Sequence, residues 1–114
     1  MKFMITFNHI AGAWEALTDA ERETYSEALL GLMNDLEAER DSRLVFFAPA
    51  AEAKTVRMQQ DGELAVSDGL STDATEQPGG YYIIEADSID EAVEWAKRGR
   101  LLVGSNEIRQ IVEP

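Results

Sequence analysis

The chain has 114 residues, the usual length of one domain, and 45% of them are hydrophobic and 28% charged. This is the composition of a soluble folded protein rather than a disordered one. The 22 acidic and 10 basic side chains give a formal charge of −12, which disfavours nucleic acid and membranes as partners. Cysteine is absent, and no apolar run reaches the roughly 20 residues of a membrane span. We therefore expect one cytoplasmic domain over residues 1–114, without disulfides.

Two elements dominate the first third of the sequence. Residues 3–7 alternate with the period of a strand, which distinguishes them from a secretion signal. Residues 8–16 are predicted to form a loop. Thr18 and Glu21 have the spacing of a capping box, and apolar residues then recur every three or four positions. This pattern predicts a helix from Thr18 to Leu36.

The middle of the sequence contains three short features. The apolar run 44–47 predicts a buried strand. Residues 55–59 and 63–66 flank an Asp-Gly pair, which favours a tight hairpin turn. Residues 67–77 are polar and aperiodic, so they are predicted to form a loop of a length that is often functional.

The last third predicts a strand, a helix and a final strand. The strands cover residues 81–86 and 106–112, and Ser88 and Glu91 have the spacing of a second capping box. The apolar stripe of this helix consists of Ile89, Ala92, Val93 and Ala96. Trp95 lies off that stripe, so we expect it at an interface.

Without its hairpin, this order of elements is βαββαβ, which is the ferredoxin-like α+β arrangement. Two helices cover only one face of an antiparallel sheet. The strands at residues 3–7 and 81–86 carry apolar side chains on both faces. A homodimer formed through the uncovered sheet face is therefore predicted.

His9 is the only histidine of the chain, and histidine is the side chain that most often moves protons near neutral pH. One hypothesis makes His9 a catalytic acid or base that Asp68 orients. The alternative is a loop histidine bonded to backbone or water. Asp68 has an alternative too, since aspartate before glycine commonly accepts backbone amides in a turn.

Four further residues are candidate ligand contacts. Trp14 belongs either to the wall of an apolar pocket or to the core. Arg57 and Arg109 are predicted to bind a carboxylate ligand or to form ion pairs at a dimer interface. Glu76 is expected to pair with one of these arginines and hold the long loop. The sequence has no ligand cluster for a metal and no glycine-rich phosphate loop, so we predict neither a metal nor a cofactor.

A family resemblance rests on several segments read in order. They are Ala53-Lys54-Thr55-Val56-Arg57, Ser67-Asp68-Gly69, Glu76, Gly79-Gly80-Tyr81-Tyr82-Ile83-Ile84, the helix 88–96 and Asn106-Glu107-Ile108-Arg109-Gln110-Ile111. Together they resemble the YCII-related, DGPF-domain family of small bacterial proteins. That resemblance implies a dimeric α+β barrel of ferredoxin-like subunits, and a His/Asp pair proposed as an active site. The Asp-Gly-Pro-Phe segment of the family is here Asp68-Gly69-Leu70-Ser71.

Three functions are compatible with this reading. The leading hypothesis is a homodimeric small-molecule-binding or accessory module without established catalysis, with a pocket near His9, Trp14, Asp68 and Arg57. The first alternative is a weak acid-base enzyme, a hydrolase or isomerase, that uses His9 and Asp68. The second is a protein-interaction dimer that assists a transcription regulator.

Overall fold

The computed structural model describes residues 1–39, 42, 44–99 and 104–114. Its elements are β1 (Lys2–Ile10), α1 (Ala13–Ala16), α2 (Asp19–Glu37), β2 (Val45–Phe46), a 3-10 turn (Ala50–Glu52), β3 (Lys54–Met58), β4 (Leu64–Asp68), β5 (Glu76–Glu85), α3 (Ile89–Arg98) and β6 (Ser105–Ile111). Four strands form an antiparallel sheet in the order β2-β5-β1-β6. With α2 and α3 in the connections, this is the predicted ferredoxin-like α+β fold. None of the described helices is both long and apolar enough to cross a membrane.

The core lies between the sheet and the helices α2 and α3. It consists of Phe3, Ile5, Leu32, Leu36, Tyr82, Ile84, Ala86, Ala92, Trp95 and Ala96. In the pairing of β1 with β5, Phe3 lies opposite Ile84 and Ile5 lies opposite Tyr82. Alternate residues of both strands therefore face the helices, as the period of the first strand predicts.

The first capping box forms completely and the second only in part. The Glu21 amide donates to Thr18 Oγ1 at 3.1 Å, and the Thr18 amide donates to Glu21 Oε1 at 2.9 Å. At α3, the Glu91 amide donates to Ser88 Oγ at 3.2 Å. The Glu91 carboxylate, however, accepts from the amide of Asp87 at 2.9 Å. The return bond is thus displaced by one residue.

The buried face of α3 differs from the predicted one. Trp95 is only 7% exposed and belongs to the core, whereas Ile89 is 51% exposed. Trp95 follows Ala92 by three positions, so both side chains lie on one helix face. The Arg98 guanidinium lies 4.1 Å from the centre of the indole ring. The prediction that Trp95 faces an interface is therefore wrong.

Two predicted loops are shorter than the sequence indicates. In the segment 8–16, β1 continues to Ile10, where its pairing with β5 persists beyond a register shift after Phe7. Ala13–Ala16 then forms one helical turn. In the segment 67–77, β4 extends to Asp68 and β5 begins at Glu76. The ends of these strands depend on pairing with a neighbouring strand, which cannot be predicted from the local composition.

The apolar run 44–47 is not the buried strand that its composition predicts. Only Val45 and Phe46 pair, at the edge of the sheet beside β5. The side chains of Phe46 and Phe47 remain about half exposed. An edge position with few neighbours leaves these rings available to line a surface cleft.

The hairpin of β3 and β4 is a sheet of its own. Its turn contains Gly62 with a φ of +85°, a conformation that glycine adopts without strain. One hairpin face carries four apolar side chains, each 63–72% exposed: Val56, Met58, Leu64 and Val66. The radius of gyration is 16.3 Å, compared with about 13 Å for a compact chain of this length. The chain is therefore flatter and more extended than a sphere-like domain.

Candidate functional site

An open cleft of 390 Å³ lies where the end of β1 meets α1, α2 and β2. We call it the aromatic cleft. Its lining includes Phe7, Trp14, Tyr25, Phe46 and Phe47, together with His9 and Gly79. Five rings from four parts of the chain thus converge on one concave surface. Only Trp14 among these rings is a candidate from the sequence, because the others match strand or helix stripes that are usually core.

Ring-to-ring contacts shape the wall of the aromatic cleft. Phe7 and Phe46 meet edge to face, with their centroids 5.8 Å apart. Trp14 and Tyr25 make a similar contact at 5.6 Å. Such geometries align the ring edge of one residue with the π face of the other. Burial among these groups raises the pKa of the Tyr25 phenol, so Tyr25 presents a neutral hydroxyl at physiological pH.

Trp14 is held in place by Arg22. The guanidinium donates through Nε to the Trp14 carbonyl at 3.0 Å and through Nη2 to the Glu15 carbonyl at 2.8 Å. It also lies 5.9 Å from the centre of the Trp14 ring, and its Nη1 contacts Asp19 at 3.1 Å. The short helix α1 is thereby fastened to the first turn of α2, although Trp14 itself is 46% exposed.

His9 lies at the mouth of the aromatic cleft, and its position depends on Gly79. The His9 side chain is exposed near the end of β1, beside the register shift between β1 and β5. A Cβ atom at residue 79 would overlap with Nδ1 and Cε1 of the imidazole. Only glycine at position 79 therefore leaves room for the ring in this position.

A second, larger cleft of 750 Å³ shares His9 with the first. We call it the polar cleft, because Asp68, Ser71, Thr72, Asp73 and Gln77 line it alongside Pro49, Ala50 and Ala51. His9 and Asp68 thus lie on the same cleft. No hydrogen bond joins these two described side chains, and the Asp68 carboxylate instead accepts from the Lys54 ammonium at 2.5 Å. Their catalytic pairing stays a prediction.

The family of the chain is known independently of this geometry. A model of the YCII-related domain matches residues 1–113. The chain belongs to the YCII-related family. A comparison with curated proteins found no match. In this YCII-related protein, no group of three or more histidine and carboxylate side chains within the described ranges is arranged to hold a metal ion.

The remaining predicted site residues of the YCII-related protein line neither of the two clefts. Arg57 donates to the Ser71 carbonyl at 3.1 Å, so it supports the rim of the polar cleft without lining it. Arg109 is exposed in β6 and lines neither cleft. The Glu76 carboxylate accepts from Ser105 Oγ at 3.0 Å. The expected ion pair of Glu76 with Arg57 or Arg109 is therefore wrong. The starts of β5 and β6 flank the end of β1 at the same edge of the sheet, which brings Glu76 to Ser105 instead.

A polar contact that no sequence pattern indicates holds β1 beside His9. Asn8 is 4% exposed, and its Nδ2 donates to Glu107 Oε1 at 2.6 Å and to Ser105 Oγ at 3.4 Å. These bonds satisfy a buried amide and fasten β1 to β6 one residue before His9. The backbone of the YCII-related protein is thus held firmly where the two clefts meet.

Proposed function

We propose that this YCII-related protein is a homodimeric module that binds a small, mainly aromatic molecule in the aromatic cleft. The observation that carries the proposal is the convergence of five rings on a cavity of 390 Å³. Ligand sites are typically clefts of about 300–1,000 Å³ with apolar walls and a few placed polar groups. Here the polar lining residues are His9, Tyr25 and Glu15.

The exposure of the rings supports the same proposal. Trp14, Phe46 and Phe47 are each about half exposed. Apolar area in contact with water costs about 25 cal/mol per Å² relative to burial. A flat aromatic ligand would cover part of this area and would meet ring faces and edges at favourable angles.

Indole is a suitable neutral probe for the cleft. In a nuclear magnetic resonance titration, we expect chemical-shift changes at residues 7–15 and at Phe46 and Phe47, but none at the buried Trp95. Trp14→Ala should weaken indole binding severalfold. Leu30→Ala is the matched control, because Leu30 is an exposed apolar residue that does not line the cleft. Absence of shifts at cleft residues with millimolar indole would contradict the proposal.

Self-association is supported by the second face of the sheet. Met4 lies opposite Ile83, and Thr6 lies opposite Tyr81, on the face that points away from the core. The apolar face of the hairpin and the extended shape of the chain add to the area that a second copy would cover. An isologous dimer uses each of these surfaces twice.

Sedimentation tests the dimer directly. We expect a mass twice the 12.7 kDa of one chain at micromolar concentration. Ile83→Glu should shift the protein to monomer, because it places a charge on the sheet face that the second copy would cover. Its circular dichroism spectrum should remain that of a folded protein. Leu30→Glu, an equal change of charge on α2, should leave the dimer intact. A folded parent that sediments as a monomer would exclude this part of the proposal.

An acid-base enzyme is the second candidate function. It is favoured by the exposed His9 imidazole, which lines both clefts. Asp68 would then act through Lys54 or a bridging water, because its carboxylate is engaged by that ammonium. In a screen of small hydrolase and isomerase substrates, His9→Gln should abolish any turnover found. Turnover that survives His9→Gln would remove His9 from catalysis.

A further inference from the structure

The aromatic and polar clefts differ in chemistry but meet at His9 and Ala11, which line both. One side offers rings. The other offers hydroxyl, amide and carboxylate groups on the segment 68–77. A ligand that fills the aromatic cleft can therefore extend a polar group past His9 into the polar cleft. The charges that line the two clefts determine which polar group the ligand should carry.

Carboxylates are the charged groups that line these clefts. Asp68 and Asp73 line the polar cleft and Glu15 lines the aromatic cleft, while no described lysine or arginine lines either one. The chain as a whole is also negative, with a formal charge of −12. An anionic ligand would thus approach a negative surface, and no lysine or arginine among the described lining residues would receive it.

Among the described residues, three cationic side chains contact residues of the clefts or of α1, and each already has a partner. The Lys54 ammonium binds Asp68. The Arg57 guanidinium donates to the Ser71 carbonyl. The Arg22 guanidinium binds Asp19 and two backbone carbonyls of α1. Asp73, by contrast, forms no ion pair within the described part of the chain.

From these charges we infer that the ligand class of the site is an aromatic amine. Its ring occupies the aromatic cleft and its ammonium group extends past His9 toward Asp73. This inference rests on the proposed function and specifies its ligand.

Three indole derivatives of similar size separate the charge of the ligand from its ring. Tryptophol is neutral, tryptamine is cationic and indole-3-acetate is anionic at pH 7.5. By isothermal titration calorimetry at low salt, we expect tryptamine to bind about fivefold more tightly than tryptophol, and indole-3-acetate to bind most weakly. The difference should shrink at 0.5 M salt, which screens charges at the surface.

Asp73→Asn tests the assigned carboxylate. It should remove most of the advantage of tryptamine and leave tryptophol unchanged. Asp90→Asn is the matched control, because it makes the same change of net charge on α3, outside both clefts. An Asp73→Asn variant that keeps the full advantage would overturn the assignment.

The outcomes also distinguish this inference from the proposed function. Binding of tryptophol with equal or stronger binding of indole-3-acetate than tryptamine would overturn the amine assignment and leave the aromatic site standing. No binding of indole or any of the three derivatives would overturn both.

Discussion

The imidazole of His9 occupies the space that a side chain at residue 79 would need, and Gly79 is therefore part of the site. The neighbouring Gly80 is constrained differently. A Cβ atom there would overlap with the Val45 carbonyl and with the ring of Phe7. One glycine thus faces a movable, exposed side chain, whereas the other faces backbone and core.

These two glycines give a matched pair of variants. Gly80→Ala should destabilise the protein by about 1–3 kcal/mol, the usual cost of overpacking, because β2 cannot move without losing its pairing with β5. Gly79→Ala should cost less, because the His9 ring can rotate into solvent, but it should shift the His9 resonances and weaken indole binding. Urea unfolding and the indole titration measure the two effects. Equal losses of stability would show that the His9 ring cannot move aside.

Those parts of the fold that depend on a periodic pattern of apolar residues could be predicted from the sequence. Alternation in residues 3–7 and the capping box at Thr18 and Glu21 are local signals, and both give the observed elements. The buried side of α3 was not predictable from its apolar stripe alone. Trp95 offers far more apolar area to the core than Ile89 does, so packing favours a rotation of the helix that buries the indole.

The site was less predictable because it is built from distant segments. His9, Trp14 and Asp68 each line one or both clefts, and their functional roles there stay predictions. The aromatic wall formed by Phe46 and Phe47 depends on the edge position of β2, which no local pattern reports. Partners such as Lys54 for Asp68 depend on the hairpin register, and that register was not assigned from the sequence.

The N-terminus of α2 provides a test of local stability. Thr18→Ala removes an N-cap and should destabilise the protein by about 1 kcal/mol. Thr24→Ala, in the same helix, should be neutral or slightly stabilising, because Thr24 Oγ1 only donates to the Ala20 carbonyl and alanine favours helix. Urea unfolding at pH 7 compares the two. A larger loss for Thr24→Ala would contradict the assignment.

The stability of the protein should also depend on pH through the N-terminus of α2. Hydrogen bonds with Thr18 lower the pKa of the Glu21 carboxyl below its usual value of 4.5. A lowered pKa in the folded state stabilises the protein above the unfolded pKa, and this contribution is lost as the pH falls through the folded pKa. The Thr18 backbone amide donates the bond to the Glu21 carboxylate, so Glu21→Gln is the variant that removes the charge, and the stability difference between Glu21→Gln and the parent should narrow in acid. A difference that stays constant from pH 7 to pH 2.5 would argue against the reciprocal bond.

Alkaline stability should depend on Tyr82. Burial raises the pKa of the Tyr82 phenol, and the nearby Arg98 opposes this only in part. Because the folded pKa lies above the unfolded one, the neutral phenol contributes stability that is complete below about pH 10 and declines as the pH rises further. Tyr82→Phe should therefore lose less stability than the parent between pH 9 and pH 11.5 in urea unfolding. Parallel declines would show that Tyr82 does not ionise on unfolding.

Arg22 should control the position of Trp14 and, through it, the affinity of the aromatic cleft. Arg22→Gln removes the guanidinium bonds to the carbonyls of Trp14 and Glu15. With 5-fluorotryptophan incorporated, Trp14 and Trp95 give separate fluorine resonances, and Trp14→Phe assigns them. We expect Arg22→Gln to shift and broaden the Trp14 resonance and to weaken indole binding severalfold.

Arg98→Gln is the corresponding control, since Arg98 stacks on Trp95 at 4.1 Å. It should shift the Trp95 resonance, because that ring loses its cation, and leave Trp14 and the affinity for indole unchanged. The two variants should thus affect different tryptophans: Arg22→Gln changes the Trp14 resonance and Arg98→Gln changes the Trp95 resonance. If Arg22→Gln left both the Trp14 resonance and indole binding as in the parent, packing against Tyr25 alone would suffice to position Trp14, and the guanidinium bonds would have no part in shaping the cleft.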